Sequence, residues 1–580
     1  MRLLLVGTLV LFASACVCGT TATIGGRRDA GSGDGGNTQI PDGSVALPDG
    51  GFTQCDSTCS DDLQSSIDCH GAVTSCPAGQ GCSPSGCINA CAAAAAAGST
   101  IGCDFYAAAV PPQSETQGSC YSAFVANTWN GPITLTVQRA GQTLDVSSFA
   151  RIPRQSGTTL TYDPLPVVDG GVVLPQGQMA VLFLADWDYG GNTPIYYVGC
   201  PSTPAMHALF QLEGTGQTSS FHITTSAPVV AYDMYPYGGA DSHVTSASLL
   251  IPTSAWGTNY VGATPADQLA GIMFPYLQLY GQEDNTQVAI QAKVAILGGG
   301  GIASVPANAV GRFTIGKGQV LQLSQEEQLS GALIRSDKPI AVWGGHACMQ
   351  VPLGLQACDS GHQQLPAVPL LGNEYLAVRH KARSGNEPAI WRFVGAVDGT
   401  TLTFDPPVGG PASLSAGQTM NFSHPGPFRV RSQDASHIFY VAQLMTGGQG
   451  NNDLGDPDFV NIVPWQQYLK SYLFFTDATY SSTDLVFVRP LGSDNAYHDV
   501  TLDCLGVVPN WFGIGGSNYQ YARVSWTKTS AGCTNGVHTA RSEAPFGLTV
   551  WGTDSYTSYG YPAGMSVRPI NTVVVGPEIN

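Results

Sequence analysis

The stretch TTLTYDP begins at Thr158 and TTLTFDP begins at Thr400, with six of seven positions the same. A long chain that reuses an alternating phrase is constrained toward a repeated β architecture, because self-similarity in fixed order marks tandem units. Further landmarks keep that order. Gly-Gln pairs open apolar runs at Gly177-Gln178, Gly318-Gln319 and Gly417-Gln418. Turn-prone starts lead into apolar runs at SAPVVAYDM from Ser226, SDKPIAVWGG from Ser336 and SEAPFGLTVWG from Ser542, with ASHIFYVAQL from Ala435 as a looser relative. A proline is followed by a tyrosine at Pro252/Tyr260, Pro366/Tyr375 and Pro464/Tyr472. These landmarks divide a β region, 104–580, into four degenerate modules at 120–259, 260–374, 375–471 and 472–569.

The local pattern is strand-like throughout. ITLTVQRAGQTLDV from Ile133 alternates around Ala140-Gly141. FVGAVDGTTLTF sets Asp398-Gly399 between alternating runs, the strongest short hairpin signal. Long helical periodicity is absent. The expected fold class is all-β, with tandem antiparallel β-sandwich-like modules, since roughly 100 residues per module suits a sandwich. Closure into a propeller-like ring is the alternative, although a propeller blade needs only about 40–50 residues.

Charged residues are 11% of the chain, against about 25% in an ordinary domain, and the net charge is −18. That balance repels phosphates and no Lys/Arg cluster offsets it, which excludes a nucleic-acid partner. MRLLLVGTLVLFASAC holds one cation, Arg2, and an apolar run from Leu3 to Phe12, too short to span a bilayer. Residues 1–15 therefore read as a signal peptide. Ala13-Ser14-Ala15-Cys16 resembles a bacterial lipobox, with Ala13 where leucine is usual, and marks Cys16 for lipidation; an ordinary cleaved signal is the alternative. Residues 16–54, with their Gly-Gly and Asp-Gly pairs, read as a flexible tether. The expected location is the cell envelope, as an outer-membrane lipoprotein facing the exterior and touching the membrane through its lipid alone. Secretion is the alternative.

Cys55, Cys59, Cys69, Cys76, Cys82, Cys87, Cys91 and Cys103 fall within a short segment, 55–103. A dense, even set in an exported chain implies a disulfide-stapled element of undetermined pairing. Zinc bound through the Cys-x3-Cys spacings at Cys55/Cys59 and Cys87/Cys91 is the rival. The run Ala92–Ala97 reads as a short helix. In the modules, Cys120 with Cys200, Cys348 with Cys358, and Cys504 with Cys533 are candidate bridges.

Catalytic motifs are missing: no His-Glu-x-x-His, Gly-x-Ser-x-Gly or P-loop occurs. No cofactor is expected, apart from calcium at QGNNDLGDPDF through Asn451, Asp453, Asp456 and Asp458, where turn formation is the competing explanation. His346 and His362 flank the Cys348/Cys358 loop, with Asp359 between them, and read as loop residues before they read as metal ligands. Aromatic side chains gather after the apolar landmark strands: Tyr232, Tyr235 and Tyr237, then Trp343, then Trp551, Tyr556, Tyr559 and Tyr561. Such rings supply rigid contact area at binding surfaces and stack on sugars, so they form a candidate ligand-binding edge. Packing between modules is the plain alternative.

GCDFYAA at 102–108, SAPVVAYDM at 226–234, LLIPTSAWGTNYV at 249–261, KPIAVWGGHACM at 338–349 and ACDSGHQQLPAVPLLGNEYLAV at 357–378 carry a family resemblance. The region resembles the IgGFc-binding protein N-terminal domain family, in particular its bacterial lipoprotein members. The resemblance implies a non-enzymatic, extracellular binding or adhesion role toward a protein or glycan. A self-associating structural envelope component and a glycan-acting hydrolase are the alternatives. A hydrolase would need two carboxylates about 5–10 Å apart in a cleft.

Overall fold

The computed structural model describes residues 44–46 and 52–54 as backbone, and residues 57–579 apart from 157–158, 266–272, 356, 386 and 531. The signal peptide, Cys16 and Cys55 lie outside the described residues. Contacts divide the chain into Met1–Cys55 and Asp56–Asn580. In the first unit, Ser44–Ala46 pairs antiparallel with Phe52–Gln54. The second unit is almost wholly antiparallel β.

One seven-strand pattern recurs four times among the described residues. Each module has an opening strand (Gly102–Ala107, Gly257–Val261, Glu374–Ala377, Leu469–Thr476) and a closing strand (Ser246–Leu249, Asp359–Leu365, Asp458–Asn461, Thr557–Pro562). Between them a long strand belongs to two sheets at once. In the second module this is Leu333–Met349. Its first turn of residues pairs with Gly257–Val261 and Thr286–Gln291, whereas Ile340–His346 pairs with Pro275–Gly281 and the closing strand. The change comes at Pro339, which has no N–H for a ladder and bends the strand from one sheet to the other. Pro228 and Pro545 do the same in Phe221–Tyr235 and Gly536–Asp554. The third module breaks the strand into Phe428–Ser432 and Phe439–Met445, and there the two sheets separate into four strands each. The turn-prone starts Ser226–Pro228, Ser336–Pro339 and Ser542–Pro545 are therefore the sandwich corners.

The proline–tyrosine landmark has a physical cause too. Each proline leads into a 3-10 turn, Thr253–Ala255, Val368–Leu370 or Trp465–Gln467. The tyrosine that follows is buried on the opening strand and fixes it to the corner of the bent strand. Tyr260 donates to the Ile340 carbonyl at 2.6 Å, Tyr375 to that of Phe439 at 2.6 Å, and Tyr472 to that of Phe546. Each hydroxyl also accepts from an amide three residues upstream, at Gly257, Gly372 and Leu469. The Gly-Gln landmarks are the turns before the fifth strand, and their glycines hold φ of +67° to +69°, which side chains rarely adopt.

The opening phrase of the sequence is a false equivalence. Thr400–Asp405 pairs with the bent strand's first segment, but Thr159–Pro164 pairs with Ala150–Ser156 in an inserted hairpin beyond Met179–Asp186. The true partner of TTLTFDP in the first module is Ile133–Arg139, which pairs with Phe221–Thr225. The first module also starts at its opening strand, Gly102, rather than at 120.

The four closing strands lie against one another around a common axis. Ser246–Leu249 touches Asp359–Leu365 and Thr557–Pro562, and Asp458–Asn461 touches the same two. The sandwiches thus close into a ring, and neighbours share cores. Tyr276 and Trp343 join Tyr121 and Tyr235; Tyr440 and Phe459 join Leu365; Val486 and Trp551 join Leu376; Phe475 and Tyr559 join Phe124 and Tyr237.

Before the ring, disulfides Cys59–Cys82, Cys76–Cys87 and Cys91–Cys103 staple a small element, and Cys69 is bonded as well. With Cys59, Cys87 and Cys91 oxidised, the zinc reading loses its thiolates. The element's helix, Ala90–Ala97, is capped by Asn89, whose side chain accepts from Cys91 N at 3.0 Å and Ala92 N at 3.2 Å. In the modules the bridges are Cys120–Cys200, Cys348–Cys358 and Cys504–Cys533.

Candidate functional site

Seven of the eight aromatics of the expected binding edge lie inside the ring. Tyr232, Tyr235, Tyr237, Trp343, Trp551, Tyr559 and Tyr561 are all 2% exposed or less. Six of them sit on the second half of a bent strand or on a closing strand, and Tyr237 lies two residues past the end of the first bent strand. Tyr232 packs on Tyr561 with centroids 4.5 Å apart and donates to the Ala563 carbonyl at 2.9 Å. Tyr237 shares a hydrogen bond with Tyr162 at 2.7 Å, and Trp551 packs on His380. The expected ligand-facing edge is instead an inter-module seam. Tyr556 alone of the set is only half-buried, at a turn with φ +49° beside Asp453.

Where the closing strands meet, the seam is polar. Asp359 accepts from Ser558 N at 3.0 Å through one carboxylate oxygen, while its other oxygen is buried without a partner. Ser558 donates to the Asp456 carbonyl at 2.7 Å, and Gln363 donates to the carbonyls of Ala247 and Gly560. Burial, and then the nearby Asp456 charge, pushes the Asp359 carboxyl well above the usual range. Burial raises Asp456 to about 7 and lifts Asp458 as well. In each case burial shifts the balance toward the protonated form.

The calcium reading does not gather in space. Asn451 bonds Ser384, Thr446 and Gly447; Asp456 accepts from Gly448 N at 2.7 Å; Asp458 accepts from Phe459 N at 2.7 Å. Asp453, Asp456 and Asp458 are not brought within ligand distance of a common point, so the segment serves as a turn. The cluster that does meet metal-ligand spacing among the described residues, Asp503, Cys504 and His538, has its sulfur in a disulfide. His346 and His362 are buried strand residues. His362 bonds Tyr276 through Nδ1 at 2.8 Å and lies 3.6 Å from Asp233.

A second buried network lies within the third module. Glu387 receives His380 at 2.7 Å and Arg383 at 2.6 Å; Arg383 also donates to the carbonyls of Thr446 and Leu454. His380 and Arg383 hold the Glu387 carboxyl far below its ordinary value despite its burial, and burial lowers His380.

Open space lies elsewhere. A cleft of about 710 Å³ runs between the disulfide element and the fourth module, with Asp61, Ala93, Ser99, Tyr468, Lys470 and Arg568 on its walls. A smaller one, about 310 Å³, opens between the third and fourth modules and includes Glu374, Arg429, Trp465 and Tyr519. Neither carries two carboxylates. Sequence reasoning missed the second cleft. Its one signal is Trp465, at a turn position occupied by Thr253 and Val368 in the other modules.

Corner prolines, disulfides and shared cores together define a disulfide-braced ring of β-sandwich modules. The sequence profile described as IgGFc binding protein matches residues 246–552, from the first closing strand through the fourth bent strand. That is more than half of the chain, and the chain belongs to this family. The match covers the 102–378 stretch whose motifs suggested it only from residue 246 onward, and runs on past it to residue 552. Among curated proteins, human IgGFc-binding protein is 26% identical over 319 residues, 54% of this chain. The aligned part is only 6% of that relative's length. No solved structure matches the chain significantly.

Proposed function

We propose that the chain is a non-enzymatic binding module for an extracellular protein, displayed on the cell envelope by a lipid on Cys16 and a tether over 16–54. The observation that carries this reading is family membership across the second, third and fourth modules, joined to a human relative named for binding the Fc part of immunoglobulin G. The disulfides support an oxidising compartment. Among the described residues, no helix is long and apolar enough to cross a membrane. Adhesion is the finer role, with the clefts of the ring as the surfaces available to a partner.

The test immobilises the full mature chain and measures binding to immunoglobulin Fc, mucin and purified bacterial surface polysaccharide, with palmitate labelling of the expressed protein alongside. Saturable binding to Fc or mucin, with label lost on Cys16→Ser, is the expected result. Silence on all three, accompanied by concentration-dependent self-assembly, would replace the reading with a structural one.

A further inference from the structure

We propose that the cleft built by Trp465, Tyr519, Glu374 and Arg429 is a binding site for a neutral sugar unit of a glycan. It stands on its own geometry and does not depend on the protein ligand proposed above.

Trp465 opens the turn Trp465–Gln467, where the equivalent turns open with Thr253 and Val368. The turn therefore needs no aromatic ring. Trp465 meets Tyr519 at 62° with centroids 6.2 Å apart, so the two rings form a corner. The indole Nε1 is buried and without a partner, a rare condition for a strong donor. Facing the corner, Glu374 forms an ion pair with Arg429, Oε1 to Nε at 2.7 Å, and accepts from the Tyr519 hydroxyl at 2.9 Å. The Arg429 guanidinium lies over the Tyr519 ring, 5.9 Å from its centroid. Both members of the ion pair stay partly open to the cleft, at 14% for Glu374 and 20% for Arg429. Asn518 stands exposed on the rim.

These features select a ligand class. The ion pair cancels its own charge, so an anion would meet Glu374 and a cation would meet Arg429. Donors and acceptors are both present, and a purely apolar ligand would leave them unpaired. A sugar ring answers each demand: every hydroxyl donates and accepts, and the C–H face packs on an aromatic wall. At about 310 Å³ the cleft sits at the small end of ligand cavities, roughly 300–1,000 Å³, in keeping with a terminal sugar.

Saturation-transfer NMR and titration of the full chain with glucose, galactose, mannose and N-acetylglucosamine test the site. At least one sugar is expected to saturate with a Kd on the order of 1 mM. Trp465→Thr, which repeats the residue of the first equivalent turn, should weaken that sugar about tenfold with the melting temperature nearly kept. Asn518→Ala, on the exposed rim, should weaken it severalfold, and decides alone if the tryptophan variant does not fold. Absence of saturation by all four sugars, or binding unchanged in the folded variants, overturns the proposal.

Discussion

The Tyr375 hydroxyl lies 2.6 Å from the Phe439 carbonyl oxygen, joining the opening strand of the third module to the far side of its broken corner. Tyr260 and Tyr472 make the same bond to Ile340 and Phe546. The bond is buried, and the hydroxyl also receives the Gly372 amide at 3.0 Å. Tyr375→Phe leaves both backbone groups unpaired and should cost about 1–3 kcal/mol, read from urea denaturation. An unchanged midpoint would mean that the corner does not rely on this bond.

Glu387 sits between His380 and Arg383 with no exposed surface of its own. Glu387→Gln keeps the shape and removes the charge that Arg383 faces at depth. Breaking a buried pair in this way costs about 3–5 kcal/mol. Because Arg383 also holds the Thr446 and Leu454 carbonyls, the loop between them should become cleavable by protease in the variant before the ring unfolds.

Stability should be greater near pH 5 than near pH 8. Burial raises Asp456 from 3.8 to about 7 and Asp477 from 3.8 to about 6, and Asp359 and Asp458 move the same way. A carboxyl raised by folding contributes stability below its unfolded value and loses it as pH climbs through the folded one. Asp456 therefore costs stability as pH climbs from about 4 to about 7 and Asp477 as it climbs from about 4 to about 6, and Asp359 and Asp458 act in the same direction. His380 is lowered from 6.5 and opposes them as pH falls below that value, and Glu387, lowered from 4.5, loses its contribution only in stronger acid. Melting temperatures across pH 4 to 8 would show the maximum on the acidic side. Asp456→Asn should narrow the difference between pH 5 and pH 8; an unaltered profile would remove the seam from the account.

Corner prolines, the Pro–Tyr pairs and the Gly-Gln turns were legible because each encodes local chemistry: a missing N–H, a hydroxyl with two backbone partners, a left-handed glycine. The matched phrases at Thr158 and Thr400 misled because alternation records one buried face and says nothing of which strand lies beside it. Ring closure was hidden for a related reason. Phe124 stacks on Phe475 at 4.9 Å, and nothing local to either residue announces the other. The aromatic runs were read as surface because one sandwich would leave an outer face bare. In the ring, that face is covered by a neighbouring module. The small cleft escaped notice because Glu374, Trp465 and Tyr519 lie far apart in sequence and meet only where the third and fourth modules adjoin.

Calorimetry of the full, disulfide-intact chain is the most direct test of four modules closed on shared cores. Neighbours share Phe124 with Phe475, Trp343 with Tyr121, and Trp551 with Leu376, and even the third module, which keeps a cluster of its own around Trp391 and Phe439, is tied to the fourth through Leu376 and Trp551. The account predicts one transition for the β region, with calorimetric and van't Hoff enthalpies in agreement. Two or more separable transitions assignable to individual modules would contradict it, and would return the chain to a string of independent sandwiches.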